Sequence, residues 1–189
     1  MVTLIVLAAI VAILVYVVLI YNGLVKARQM VKEAWSGIDV QLKRRADLIP
    51  NLVDTVKGYV THERETLERV TELRNRAVGV PSDDVEQRAA VESMLSTAVG
   101  RLLAVAEAYP DLKASDNFRE LQTSLQNVES EIQMSRRYYN GAARDLNVRV
   151  ESFPSNLVAR PFGFDQANYF EIESAADRSV PKVDFGPTG

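Results

Sequence analysis

The residues best equipped for chemistry are few. The single histidine, His62, stands in Thr61-His62-Glu63-Arg64-Glu65. A His-Glu pair opens the zinc-protease helix motif, but that motif needs a second histidine four residues on, to share the face that binds the metal. None follows. There is no cysteine, which removes disulfides, thiol catalysis and thiolate-held metals together. Glu63, Glu65 and Glu68 read as a solvated face. The chain has no Gly-rich phosphate loop, Gly-x-Ser-x-Gly elbow or paired Glu-x-x-His. No nucleophile, base and orienting partner can be assigned to one another. The expectation is a protein without catalytic, cofactor-binding or metal-ligating residues.

Polar residues do cluster in one place. AWSGIDVQLKRRADLIPNLV brings Trp35, Asp39, Gln41, Arg44, Arg45, Asp47 and Asn51, around Pro50, into a segment that otherwise patterns as a packed helix. Buried charges must be paired, and such networks fix register more than they add stability. These residues are therefore expected to form a polar network that sets a turn near Pro50, or an interface between copies. Lys43-Arg44-Arg45 invites a lipid or nucleic-acid reading. On a straight helix, however, the run stands about 30 Å from the membrane exit, several Debye lengths away. Pairing with neighbouring carboxylates fits better. With 22 Lys+Arg against 25 Asp+Glu and a net charge of -3, the chain lacks the basic footprint of a nucleic-acid binder.

What positions this segment is the stretch before it. From Met1 to Leu24 there is no Asp, Glu, Lys, Arg or His. Twenty apolar residues in a helix span about 30 Å, the hydrocarbon thickness of a bilayer, and in lipid only a helix satisfies its own backbone. Tyr21 and Asn22 suit the headgroup level, and Lys26, Arg28 and Lys32 follow. A cleaved signal peptide would need a basic leader, a shorter apolar core and a small-residue cleavage site; a retained anchor fits better. The charge bias puts the bulk of the chain in the cytoplasm and the N-terminus outside, in the inner membrane with a single pass.

Helical patterns fill the chain to Val150. Leu24, Val31 and Ile38, and Trp35, Leu42 and Ile49, step by seven, the coiled-coil spacing. Pro50 predicts an end or kink; a weak kink would instead merge the flanking segments into one very long helix. The next segment covers Leu52 to Ala77, and Ser82 is the expected cap of a third helix. The fourth, from about Asp116 to Val150, carries Phe118, Leu121, Leu125, Val128, Ile132, Ser135, Tyr139, Ala142 and Leu146 in steps of three and four. The fold class is all-α: a transmembrane helix followed by an antiparallel bundle of three or four long helices. Phe153-Pro154 ends the regular pattern. Phe162, Phe164, Tyr169 and Phe170 then give an irregular, aromatic-rich tail, an arm expected to dock on its own bundle or on a neighbouring copy.

AWSGIDVQLKRRADLIPNLVDTVKGYVTHE closely resembles the signature of the LemA family. YNGLVKARQMVKEAW, AYPDLKASDNFRELQ, RRYYNGAARDLN and FPSNLVARPFGF match in the same order, so the resemblance covers about Tyr21 to Phe170. It implies a cytoplasmic helical bundle with a short exterior N-terminus, carries over no catalytic residues, and points to membrane organisation or to membrane-bound partners such as proteases.

The expected organisation is an anchor over residues 1–24, a bundle over 25–151, a docking arm over 152–173 and a flexible tail over 174–189. The expected partners are the lipid bilayer and further copies in a homo-oligomer. The expected role is a non-catalytic scaffold that self-associates and organises or remodels the membrane. The alternative is an adaptor whose bundle binds a membrane protease or signalling protein.

Overall fold

A computed structural model describes residues 1–60 and 62–171; the tail expected over residues 174–189 lies outside these. Among the described residues every regular element is helical: α1 (Val2–Lys57), α2 (Arg64–Gly79), α3 (Val85–Ala106), α4 (Pro110–Ala114), α5 (Asp116–Glu151) and α6 (Asn156–Ala159). The all-α expectation holds, with a long apolar helix first and further long helices after it.

Pro50 neither ends nor reverses the chain. It lies inside α1, which continues to Lys57. The reason is the apolar stripe: Ile38, Leu42, Ala46, Ile49, Leu52 and Val56 are all buried, and their spacing of three and four persists across the proline. Burial of this face outweighs one missing backbone bond, and the ring itself sits on the exposed side. The break falls instead at Gly58–Glu63, so the segment expected from Leu52 to Ala77 is divided. Gly58 lacks helix propensity, and Val60 with Thr61 adds two β-branched residues.

The chain forms two compact units. One comprises Met1–Leu48 with Thr123–Phe170; the other comprises Ile49–Gln122 with Glu171. In the second unit, α3 folds back on α2 through residues 80–84. Leu67, Val70, Leu73 and Ala77 of α2 and Leu95, Ala98, Val99 and Leu102 of α3 are buried. The cap of α3 is Asp84, which accepts a hydrogen bond from the Gln87 N–H at 2.9 Å; the expected Ser82 lies two residues too early. Arg88 stands 3.3 Å from Glu92 and donates to the Val80 carbonyl at 3.2 Å. This buried pair ties α3 to the end of α2.

In the first unit, α1 and α5 run antiparallel. Arg45 meets Glu129, Trp35 meets Tyr139, and Gly23 lies beside Arg149. The ten residues of α1 from Arg45 back to Trp35 match the ten of α5 from Glu129 to Tyr139, and the twelve from Trp35 back to Gly23 match the ten from Tyr139 to Arg149, so the two helices stay paired along this length. A Cβ at Gly23 would stand 3.1 Å from Arg149 Nη1, so a larger residue there would need this guanidinium to shift by a few tenths of an ångström. The apolar start of α1 is different. From Met1 to Leu19 almost every side chain is exposed, and no part of its most hydrophobic window is covered by the rest of the chain. This is a helix long and apolar enough to cross a membrane. α3 also passes on length and composition, but 44% of its window is buried, as befits a core helix.

Candidate functional site

The site is built on the first unit, where the segment after α5 returns along α1 and α5. Two asparagines of α5 receive it. Asn147 Nδ2 donates to the Ala167 carbonyl at 3.0 Å, and the Ala167 N–H donates to Asn147 Oδ1 at 2.7 Å. Asn140 repeats the pattern on Phe170, at 3.2 and 2.9 Å. Each side-chain amide thus imitates one pair of an antiparallel β-ladder. The spacing explains the fit. Seven residues of α-helix rise about 10.5 Å, and three residues of extended chain reach at most about 10–11 Å. Tyr139 adds a third grip, its hydroxyl donating to the Asn168 carbonyl at 2.8 Å.

The Phe170 ring is buried against Trp35, with centroids 5.4 Å apart and edge to face; Trp35 also meets Tyr139 at 5.3 Å. Burial pushes the Tyr139 hydroxyl above its usual pKa, because ionisation would place a charge where water does not reach.

Nearer the apolar start of α1 a second aromatic cluster closes the unit. Leu24, Val158, Ala159 and Phe164 form its buried core, with Val17, Ile20, Tyr21, Val25 and Val150 against it. Tyr21 meets Phe162 at 5.1 Å and Phe164 at 5.6 Å, both edge to face. The Arg28 guanidinium lies 4.6 Å from the Phe164 centroid, a cation–π contact. Gly163, with φ of 65°, makes the turn that sends Phe162 outward and Phe164 inward, a conformation L side chains rarely adopt.

The residues singled out in the sequence divide. Trp35 and Phe164 are central to these two clusters. Arg45 is 2% exposed and pairs with Glu129 at 2.8 Å, the kind of inter-helix partner expected of the basic run. Asp39 is half-buried. Arg44, Asp47, Pro50 and Asn51 are exposed, so the structure does not gather them into a network about a turn. Phe153 and Phe162 are exposed and Pro154 is half-buried, in a corner just after α5. His62 is exposed in the break between α1 and α2, not on a helix. Beside it, a hydrogen bond from the Tyr109 hydroxyl holds the Glu63 carboxyl below its usual pKa. Sequence reasoning gives Tyr21 only a place at the headgroup level, not its contacts with Phe162 and Phe164, and does not single out Asn140 and Asn147. The signal available for the last two was a pair of poor helix formers seven residues apart, on the buried side of an otherwise apolar stripe.

The LemA family profile matches residues 34–185. Magnetosome protein MamQ 2 of Paramagnetospirillum magneticum is 25% identical over 196 residues, covering 91% of this chain and 72% of the relative. Protein LemA of Metamycoplasma hominis is 32% identical over 141 residues, covering 74% of this chain and 63% of the relative. Magnetosome protein MamQ of Magnetospirillum gryphiswaldense is 23% identical, covering 85% and 68%.

Proposed function

This chain belongs to the LemA family, and from that premise we propose that it is a membrane-anchored, non-catalytic scaffold that self-associates and organises or remodels the bacterial inner membrane. The observation that carries the reading is α1: one helix whose first 19 residues expose apolar side chains throughout and whose later turns are the spine of a folded unit. Water does not tolerate an apolar face of that extent, whereas a bilayer requires it. The anchor crosses once, and the cations at Lys26, Arg28 and Lys32 hold the folded part on the cytoplasmic side. Self-association draws support from side chains with no use inside the unit: Val40 on α1 and Met134 and Tyr138 on α5 are apolar and exposed. The magnetosome relatives, named for a membrane-bounded organelle, favour an organising role.

A second reading, an adaptor for a membrane protease or signalling protein, rests on a different feature. An open groove of about 480 Å³ between α2 and α3, lined by Thr66, Arg69, Met94, Thr97 and Arg101 among others, offers both apolar and charged contacts to a partner. Native mass measurement of the full chain in mild detergent distinguishes the two. A large, uniform oligomer supports the scaffold; a monomer that co-purifies with one other protein supports the adaptor and removes the scaffold.

A further inference from the structure

The corner between α5 and α6 leaves three large apolar side chains uncovered: Phe153 at 78%, Leu157 at 65% and Phe162 at 58% exposure. Scattered exposed hydrophobes need no explanation. These three fall within ten residues, and their location is unusual. The same corner supplies Val158, Ala159 and Phe164 to the cluster against which Val17 and Ile20 rest. Val17 lies in the uncharged start of α1, one helical turn, about 6 Å, on the anchor side of Tyr21. If Tyr21 stands at the headgroup level, anything that touches Val17 is already below it.

We propose that this corner is seated in the headgroup–acyl boundary of the bilayer, as a second membrane contact beside the anchor, with Phe153, Leu157 and Phe162 entering the apolar edge. The inference rests on α1 being a membrane anchor. The charges around the corner fit an anionic lipid surface. Lys26, Arg149 and Arg160 are exposed cations on the three segments that meet there. The carboxylates nearby are Glu151, which accepts a hydrogen bond from Gln166 Nε2 at 2.6 Å, and Asp165. Aromatic and long basic side chains are the residue types that settle at this depth, rings in the apolar edge and cations toward phosphate. A wedge on one leaflet occupies headgroup area without spanning the membrane, so the contact also gives the scaffold a means of bending it.

The absence of native cysteine makes the test direct. Leu157→Cys, Ile10→Cys and Met134→Cys, all at exposed positions, are each labelled with a polarity-sensitive fluorophore in the full chain, reconstituted in phosphatidylethanolamine–phosphatidylglycerol vesicles. Lipids spin-labelled near the head or near the end of the acyl chain serve as quenchers. Met134 lies about 22 Å along α5 from Arg149 and is the reference out of reach of lipid. The expected result is loss of Leu157 fluorescence to the shallow quencher, loss of Ile10 fluorescence to the deep one, and no loss at Met134. A Leu157 probe that behaves like Met134 while Ile10 is quenched overturns the proposal and leaves the anchor standing. A Leu157 probe shielded from water yet untouched by either quencher, with shielding that grows with protein density, means that a second copy covers the corner and also overturns it. An unquenched Ile10 removes the anchor and the proposal together.

Discussion

Asn140 closes a two-bond ring with the backbone of Phe170, donating to its carbonyl and accepting from its N–H. The neighbouring ring at Asn147 and Ala167 has the same form. Together they place an irregular segment along a helix with the regularity of a strand pair, and they deliver the Phe170 ring onto Trp35.

The two rings should act as one clamp. Asn147→Ala removes both bonds to Ala167, a loss of about 1–3 kcal/mol at the usual net value of each bond. Read at the distant Phe170 N–H, which Asn140 holds, hydrogen exchange should accelerate by roughly 5- to 150-fold. Unchanged exchange at Phe170 would mean that the rings hold independently.

Arg45 and Glu129 form the polar tie between α1 and α5. Glu129→Gln takes one carboxylate away from a buried guanidinium. Loss of one partner from a fully buried pair costs about 3–5 kcal/mol. Glu129 is 40% exposed, so solvent screening reduces this to about 1–3 kcal/mol. Arg45→Met combined with Glu129→Leu should recover most of the loss, because desolvation disappears with the charge. Urea denaturation midpoints of the single and double variants test the pair.

Tyr139 confers a dependence on high pH. Its hydroxyl ionises less readily in the folded chain than the usual value of 10.0, so the unfolded state releases its proton first. The contribution is intact below about pH 10 and declines as pH rises through and beyond it. Tyr139→Phe should flatten that decline relative to the parent, while costing about 0.5–1.5 kcal/mol at neutral pH for the lost bond to Asn168. Parallel melting curves at neutral and alkaline pH give the comparison; identical slopes would show that Tyr139 is not the group responsible.

Pro50 is a cost the fold carries. An interior proline disfavours a helix by about 3 kcal/mol relative to alanine. Pro50→Ala restores the N–H at an exposed position and should raise stability by about 1–3 kcal/mol, seen as a higher melting temperature with undiminished helix content. A variant no more stable than the parent would show that the backbone there has already relaxed around the ring.

How much of this was legible in the sequence follows from which forces are local. The anchor and α5 were read from composition and period, because burial imposes both along a single helix. The same reasoning leaves Pro50 open between a break and one very long helix. A local breaker rule was weighed without the stripe from Ile38 to Val56 that continues past it. Arg44, Asp47 and Asn51 looked like a network because they are close in sequence, yet a helix turns them to the exposed side and leaves Arg45 inside. Phe162 and Phe164 were both noticed, but the positive φ at Gly163 that separates their fates depends on the fold. Asn140 and Asn147 carry meaning only once the backbone of a segment some 20 to 30 residues later is laid against them.

The closure of Leu24 by Phe164 also imposes an order in time. Some 140 residues separate them, and a ribosome adding about 5–20 residues per second needs roughly 7–28 s to make the second after the first. The apolar start of α1 is thus translated well before the segment that packs against its end has been synthesised. Sealing that seam therefore waits on a segment made long after the helix it covers.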